Sequence, residues 1–189
     1  MNTCETNTKS LRWCQGKTVV PGIRPRVYYV AKNDIVSWPT LADGKYVGDF
    51  VLAADKKWQV IDILNAKSNV TSESQGEKPS KTFKNTLKVV YPELNEDLNA
   101  AAEELNSGDH VFIHRDGSGK FKVVGSEIDQ TDTTISTDTG EGATGTSGAT
   151  ITATATDRTP APFYDGSIMT DEGEVNPKGS GSASGSAAE

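Results

Sequence analysis

Residues 81–125 read KTFKNTLKVVYPELNEDLNAAAEELNSGDHVFIHRDGSGKFKVVG, and three different periods follow one another along them. From Thr82 to Tyr91 the pattern alternates. Phe83, Asn85, Leu87, Val89 and Tyr91 share one face; Thr82, Lys84, Thr86, Lys88 and Val90 share the other. A period of two is that of a strand with one buried face. Pro92 then ends the strand, because it cannot donate to a ladder. Residues 94–106 switch to a helical period, with Leu94, Leu98, Ala101, Ala102 and Leu105 on one stripe. Residues 109–115 and 120–125 are two short strands joined by Asp116-Gly117-Ser118-Gly119. Strand, helix and hairpin make a structural unit with no catalytic group at its centre.

The flanking sequence extends the same architecture. Residues 67–74 alternate weakly and meet 82–91 across the polar segment 75–80, which predicts a long hairpin. Ten strand residues span about 33 Å, more than a domain of this size needs internally. Upstream, residues 26–31, 46–53 and 58–64 read as strands between the loops at Trp38-Pro39, Ala42-Asp43-Gly44 and 54–57. Downstream, residues 150–156 alternate Ile151, Ala153 and Ala155 with threonines, and β-branched threonine favours a strand. Pro160-Ala161-Pro162-Phe163-Tyr164 packs back as an extended segment. The expected fold is mainly β (α+β): an antiparallel β-sandwich or half-barrel with one flanking α-helix and a long β-hairpin arm. Three regions are expected: an N-terminal arm (1–18), a β-sandwich domain (19–165) and a flexible Gly/Ser-rich acidic tail (166–189).

The 189-residue chain has a formal charge of −7 and is 34% apolar, which predicts a modest core helped by neighbouring subunits. A net acidic chain is a poor tight binder of nucleic acid, which requires phosphate neutralisation. Charge is nevertheless uneven. Lys78, Lys81, Lys84 and Lys88 lie in a stretch without acids, whereas 126–156 carries Glu127, Asp129, Asp132, Asp138 and Glu141 and no Lys or Arg. The opening Met1-Asn2-Thr3-Cys4-Glu5 has no signal-peptide character, and no apolar run approaches the roughly 18 residues that span a bilayer. A soluble cytoplasmic protein with Cys4 and Cys14 as free thiols is expected, a Cys4–Cys14 disulfide being the alternative.

The chemical motifs fail on context. Residues 140–145 match G-x-G-x-x-G by letters but sit among threonines and precede a strand, where the dinucleotide fingerprint needs a strand before it and a helix after it. Gly117-Ser118-Gly119-Lys120 lacks the first phosphate-loop glycine, whose place His114 takes. Asp116, Ser118 and Glu127 stand at positions 1, 3 and 12 of a calcium loop, but Phe121 occupies the obligatory glycine. His110 and His114, about 13 Å apart on one strand, are too far apart to share a metal and read as surface histidines. No serine occupies a nucleophile elbow, and both cysteines lie in the lead-in. Asn69-Val70-Thr71 is a glycosylation triplet only on a secretory route. No enzyme and no cofactor are expected.

The order of elements resembles phage tail-tube proteins and their relatives in contractile injection systems. The likeness is carried by the 67–91 hairpin, the 94–106 helix, the 109–125 hairpin, the 150–156 strand and the ending Gly148-Ala149-Thr150-Ile151-Thr152 through Pro160-Ala161-Pro162-Phe163-Tyr164. It covers about residues 19–165 and is one of layout, with no diagnostic motif. The resemblance implies a structural virion protein that self-assembles into stacked, commonly hexameric rings forming a tail tube. Its inner strands would join into a continuous barrel through which DNA passes without specific binding. It implies partners that are copies of the chain and other tail or connector proteins, no membrane, assembly in the host bacterial cytoplasm and residence in the virion tail. On that basis Lys78, Lys81, Phe83, Lys84, Leu87 and Lys88 form an inter-subunit arm, and Glu127, Asp129, Asp132, Asp138 and Glu141 an acidic lumen face. Two other classes remain open. One is another virion component (capsid decoration, tail-completion or connector-ring protein). The other is a small carbohydrate- or ligand-binding sandwich that uses exposed Trp38 and Trp58, although these tryptophans and Trp13 fit packing or interface anchoring as well.

Overall fold

The computed structural model describes residues 9–142 and 145–176. Cys4, the 179–186 Gly/Ser run and two residues of the 140–145 motif lie outside them. Along the chain the strands are β1 (Ile23–Ala31), β2 (Ile35–Ser37), β3 (Thr40–Ala42), β4 (Lys45–Val47), β5 (Val51–Leu52), β6 (Gln59–Asp62), β7 (Asn69–Gln75) and β8 (Thr82–Tyr91). After helix α1 (Glu96–Ser107) come β9 (His110–Asp116), β10 (Phe121–Val124), β11 (Asp132–Asp138), β12 (Gly148–Asp157), β13 (Phe163–Tyr164), β14 (Ile168–Thr170) and β15 (Gly173–Val175). The protein is mainly β with one α-helix, its antiparallel sheets arranged as a sandwich and not closed into a barrel.

A seven-stranded sheet runs β3-β4-β13-β10-β9-β1-β6, with β13 and β4 its one parallel pair, and a four-stranded sheet runs β11-β12-β8-β7. Two apolar clusters form around the larger sheet. Between the sheets, Val27, Tyr29, Ile61, Phe112 and Val124 meet Leu87, Val89, Ile151, Ala153 and Ala155, with Leu105 of α1 at one side. On the opposite face Tyr28, Val30, Val111, Ile113 and Val123 pack on Tyr46, Phe50, Trp58, Tyr164 and Ile168. The larger sheet is therefore covered on both faces. His110 and His114, expected at the surface, are each only 1% exposed because β9 lies at the centre of that sheet.

The alternation of β8 is realised from Lys84 to Val90, with half-buried residues at both ends. Leu87 and Val89 are fully buried, and Asn85 on the same face is buried for a different reason. Its Nδ2 donates to the Thr159 carbonyl (3.1 Å) and its Oδ1 accepts from the Ala161 N–H (2.9 Å). One amide thus satisfies the backbone of the returning segment before β13, where an apolar residue would leave buried groups unpaired. The 67–91 hairpin is present as β7–β8, paired from Asn69↔Lys88 to Gln75↔Thr82.

Several boundaries differ from expectation for identifiable reasons. Helix α1 begins at Glu96, not at 94, because Asn95 caps it, its Oδ1 accepting from the Leu98 N–H at 2.8 Å. The expected 46–53 strand is split into β4 and β5 at Gly48, whose φ of 105° L side chains rarely adopt. There Phe50 N–H donates to the Tyr164 hydroxyl and Asp49 accepts from Ser167 N–H, so these groups serve the C-terminal segment and not a ladder. Strand β11 was not among the expected strands; pairing with β12 from Asp132↔Thr154 to Asp138↔Gly148 makes it the outermost strand of its sheet.

The start of the tail at 166 is corrected as well. β14 and β15 form a hairpin, Trp58 N–H donates to the Met169 carbonyl, and Arg26 bonds Asp62 (2.8 Å) and Glu172 (2.5 Å) together. Ile168 is wholly buried against the outer cluster. Ile168→Ala should lower stability by about 2–5 kcal/mol, as for other buried aliphatic truncations. Met169→Ala, at a half-exposed site, should change it by about 0.5 kcal/mol or less. Equilibrium urea unfolding of both variants measures the difference; equal effects would mean that the C-terminal hairpin is not part of the cooperative fold.

Candidate assembly surface

The four-stranded sheet turns its second face outward, and the pairing registers define it. Across it, β11 presents Asp132, Thr134, Ser136 and Asp138; β12 presents Thr150, Thr152, Thr154 and Thr156. β8 presents Thr82, Lys84, Thr86, Lys88 and Val90, and β7 presents Asn69, Thr71, Glu73 and Gln75. Hydroxyls dominate this face; Val90 is its one aliphatic residue, and it has no aromatic and no arginine. Threonine explains the composition. Its branched Cβ suits the strand while its hydroxyl keeps the surface hydrated.

The residues expected in two separate patches are redistributed. Lys84 and Lys88 share the outer face with Asp132 and Asp138, so a basic arm and an acidic face are not distinct surfaces. Glu73 stands directly opposite Lys84, the register of an attractive cross-strand pair. Lys88, Asp138 and Glu141 line one shallow hollow of about 610 Å³ beside the β11–β12 connection. Leu87 points into its own core and is wholly buried, which corrects its assignment to a subunit contact; Phe83, on the same face, is half-buried. Lys78 and Lys81 lie in the exposed tip of the hairpin. Glu127 and Asp129 are exposed in the β10–β11 loop, away from the strand face, where Lys32 Nζ donates to the Asp129 carbonyl and pairs with Asp109. The tryptophans are not a binding platform either: Trp58 is buried edge-to-face against Phe50, and Trp38 is half-buried against Phe50 and Tyr46.

The sheet edges were not anticipated. Both outer strands of the four-stranded sheet, β7 and β11, are seven residues long and lack a strand partner on one side among the described residues. The seven-stranded sheet instead ends in β3 and β6, of three and four residues. Short edges are a usual protection against strand addition; long unpaired edges invite it. β7 carries Glu73 as its sole charge and no proline. Because β7 pairs antiparallel to β8, β8 to β12 and β12 to β11, the two free edges run in opposite directions.

Chemical groups elsewhere are absorbed into structure. Asp116 Oδ1 accepts from Ser118 Oγ (2.6 Å) and Lys120 N–H (3.0 Å), so the residues that mimic a calcium loop build the β9–β10 turn. No helix among the described residues is long and apolar enough to cross a membrane, and no group of three metal-ligating side chains occurs among them. No family model, curated protein or solved structure matches the chain.

Burial raises the Tyr46 and Tyr164 hydroxyls well above their ordinary values, and it lowers one histidine. His114 lines a hollow with Asn69, Ser72, Asp116 and Lys122, its Nδ1 without a hydrogen-bond partner. Burial first, and the Lys122 charge beside it, bring its pKa down to about 3 against the opposing charge of Asp116. The unfolded imidazole titrates near 6.5, so between these values the unfolded chain binds the extra proton. The stability His114 contributes is complete above about pH 6.5 and is lost as pH falls toward 3. His114→Gln should therefore flatten the decline in urea midpoint between pH 6.5 and 4, removing up to about 1.4 kcal/mol per pH unit from its slope. Parallel slopes for wild type and variant would refute the assignment.

Proposed function

We propose that this protein is a structural subunit of a phage tail tube, assembling by lateral joining of its four-stranded sheet into rings that stack into a conduit for DNA. The observation that carries the proposal is the pair of long, free and oppositely directed edges, β7 and β11, on a sheet with a hydroxyl-rich outer face. When copies are related by rotation about an axis along the strands, β11 of one meets β7 of the next antiparallel. Repetition removes every free edge of that sheet and turns one face of all copies toward a common lumen. The likeness of layout to tail-tube proteins supports sixfold rings and a place in the virion tail.

The lumen chemistry suits passage of DNA. Tight phosphate binding needs clustered Lys and Arg free to release counterions. Here Lys84 faces Glu73, and Lys88 shares its hollow with Asp138 and Glu141. Threonine and serine hydroxyls bind water and offer the duplex no charge. DNA therefore slides without a preferred register.

Negative-stain imaging and sedimentation velocity of the concentrated protein should show rings or tubes of uniform diameter; monomers at all concentrations would overturn the proposal. Deleting residues 75–80 joins Ser74 to Lys81 and leaves Lys81-Thr82 as a two-residue connection between paired Ser74 and Phe83. The deletion should preserve the circular dichroism of the fold and abolish tubes. Normal tubes from it would remove the hairpin tip from the contact.

A further inference from the structure

The chain ahead of β1 is unusual in what it exposes. Residues 9–22 form neither strand nor helix, yet Leu11 is 98% and Trp13 67% exposed, followed by exposed Val19 and Val20. Lys9, Arg12, Lys17, Arg24 and Arg26 punctuate the sequence from residue 9 to residue 31, which contains no acid. Neighbouring large apolar side chains held in water mark a surface that a partner covers. The base of this arm is pinned. Gly117 N–H donates to the Gly22 carbonyl at 2.8 Å, and the Val20 and Pro21 carbonyls pass so close to Gly117 that no side chain fits there. The arm therefore starts at the β9–β10 turn; its far end is held by a Lys9–Asp43 ion pair (2.6 Å) within the same molecule, and Leu11 and Trp13 stand exposed between the two anchors.

The opposite end of β9 carries the complementary surface. A groove of about 270 Å³ lies between α1 and the sheets, lined by Tyr29, Ile61, Tyr91, Leu98, Ala101 and Leu105, with Asp97 at its side. Helix α1 carries Glu96, Asp97, Glu103 and Glu104 and no basic residue. Glu96 and Asp97 favour the helix N-terminus, but Glu103 and Glu104 lie toward the negative end of the dipole, where carboxylates are unfavourable and cations are stabilising. Among the described residues neither forms an ion pair with a lysine or arginine, and His110 Nε2 lies 3.8 Å from Glu104. The groove is apolar inside and acidic around; the arm is apolar and basic.

We propose that the arm of one copy docks into the α1 groove of a second copy, with Trp13 in the apolar pocket and Arg12 and Lys17 against Asp97, Glu103 and Glu104. The proposal rests on the self-assembly argued above and adds its axial contact. Arm base and groove are separated by the length of β9, about 20 Å. End-to-end stacking brings the arm of one copy to the groove of the next. A heterologous contact of this kind repeats without closing and so extends a filament. Edge pairing makes the ring; the arm joins rings.

Cys14, exposed and free beside Trp13, supplies the test. In a Cys4→Ser background, protein retaining Cys14 is mixed with protein carrying Cys14→Ser and Ala101→Cys, assembled and oxidised. Circular dichroism first verifies that the Ala101→Cys protein is folded. A disulfide-linked dimer is expected on non-reducing gels, and none when the second cysteine is placed by Thr86→Cys on the outer sheet face. Adding Trp13→Ser to the first protein should reduce the dimer about tenfold or more. Rings or tubes without the Ala101→Cys dimer would overturn the arm contact while leaving lateral assembly intact. Monomers throughout would overturn both. A single chain bearing Cys14 and Ala101→Cys that crosslinks internally as a dilute monomer would also overturn it, because the arm would then occupy its own groove.

Discussion

Everything in this fold depends on covering the seven-stranded sheet on both faces. Its central strands expose no polar face to water: Val111, Phe112 and Ile113 on β9 are wholly buried in succession, and Val123 and Val124 on β10 likewise. Such strands cannot stand at a surface, since each additional buried aliphatic side chain contributes on the order of 1.5–3 kcal/mol only if both sides find partners. One side finds the four-stranded sheet and α1. The other finds the short strands, the aromatic cluster of Tyr46, Phe50, Trp58 and Tyr164, and the C-terminal hairpin. Segments far apart in sequence are thereby recruited to one layer.

That arrangement separates two tasks. The seven-stranded sheet is finished within the subunit, with short edges and no free face. The four-stranded sheet differs: its inner face belongs to the core, while its outer face is polar and its edges have no further strand partner among the described residues. Asn85 ties the halves together by holding the returning chain at Thr159 and Ala161 under β8. An open sheet on a rigid support is what lateral self-association by strand addition requires.

Legibility followed the strength of local signals. β8 and β12 were readable because inner and outer residues differ in kind along a strict period of two. α1 was readable because Leu98 and Leu105 repeat at helical spacing; its first turn depended on the cap at Asn95. β11 was not, since Asp-Thr-Thr-Ile-Ser-Thr-Asp carries little contrast between faces, and only pairing with β12 makes it a strand. The histidines were misplaced because a period of two on β9 states which residues share a face, not whether that face is covered. Leu87 was read as a subunit contact from its neighbours' charge, though its own side of the strand was the buried one.

The sequence by itself determined the mainly β character, the position of the helix, the long hairpin and the polar outer faces of β8 and β12. Those properties are set by local periodicity and by where proline interrupts it. Tertiary structure alone decided that β9 is central, that Ile168 completes the second cluster, that acidic and basic residues share one face, and which strands are left as edges. Each of these depends on which strand lies beside which, a relation between segments dozens of residues apart. Hydrogen-bonded neighbours, and not local pattern, settle it.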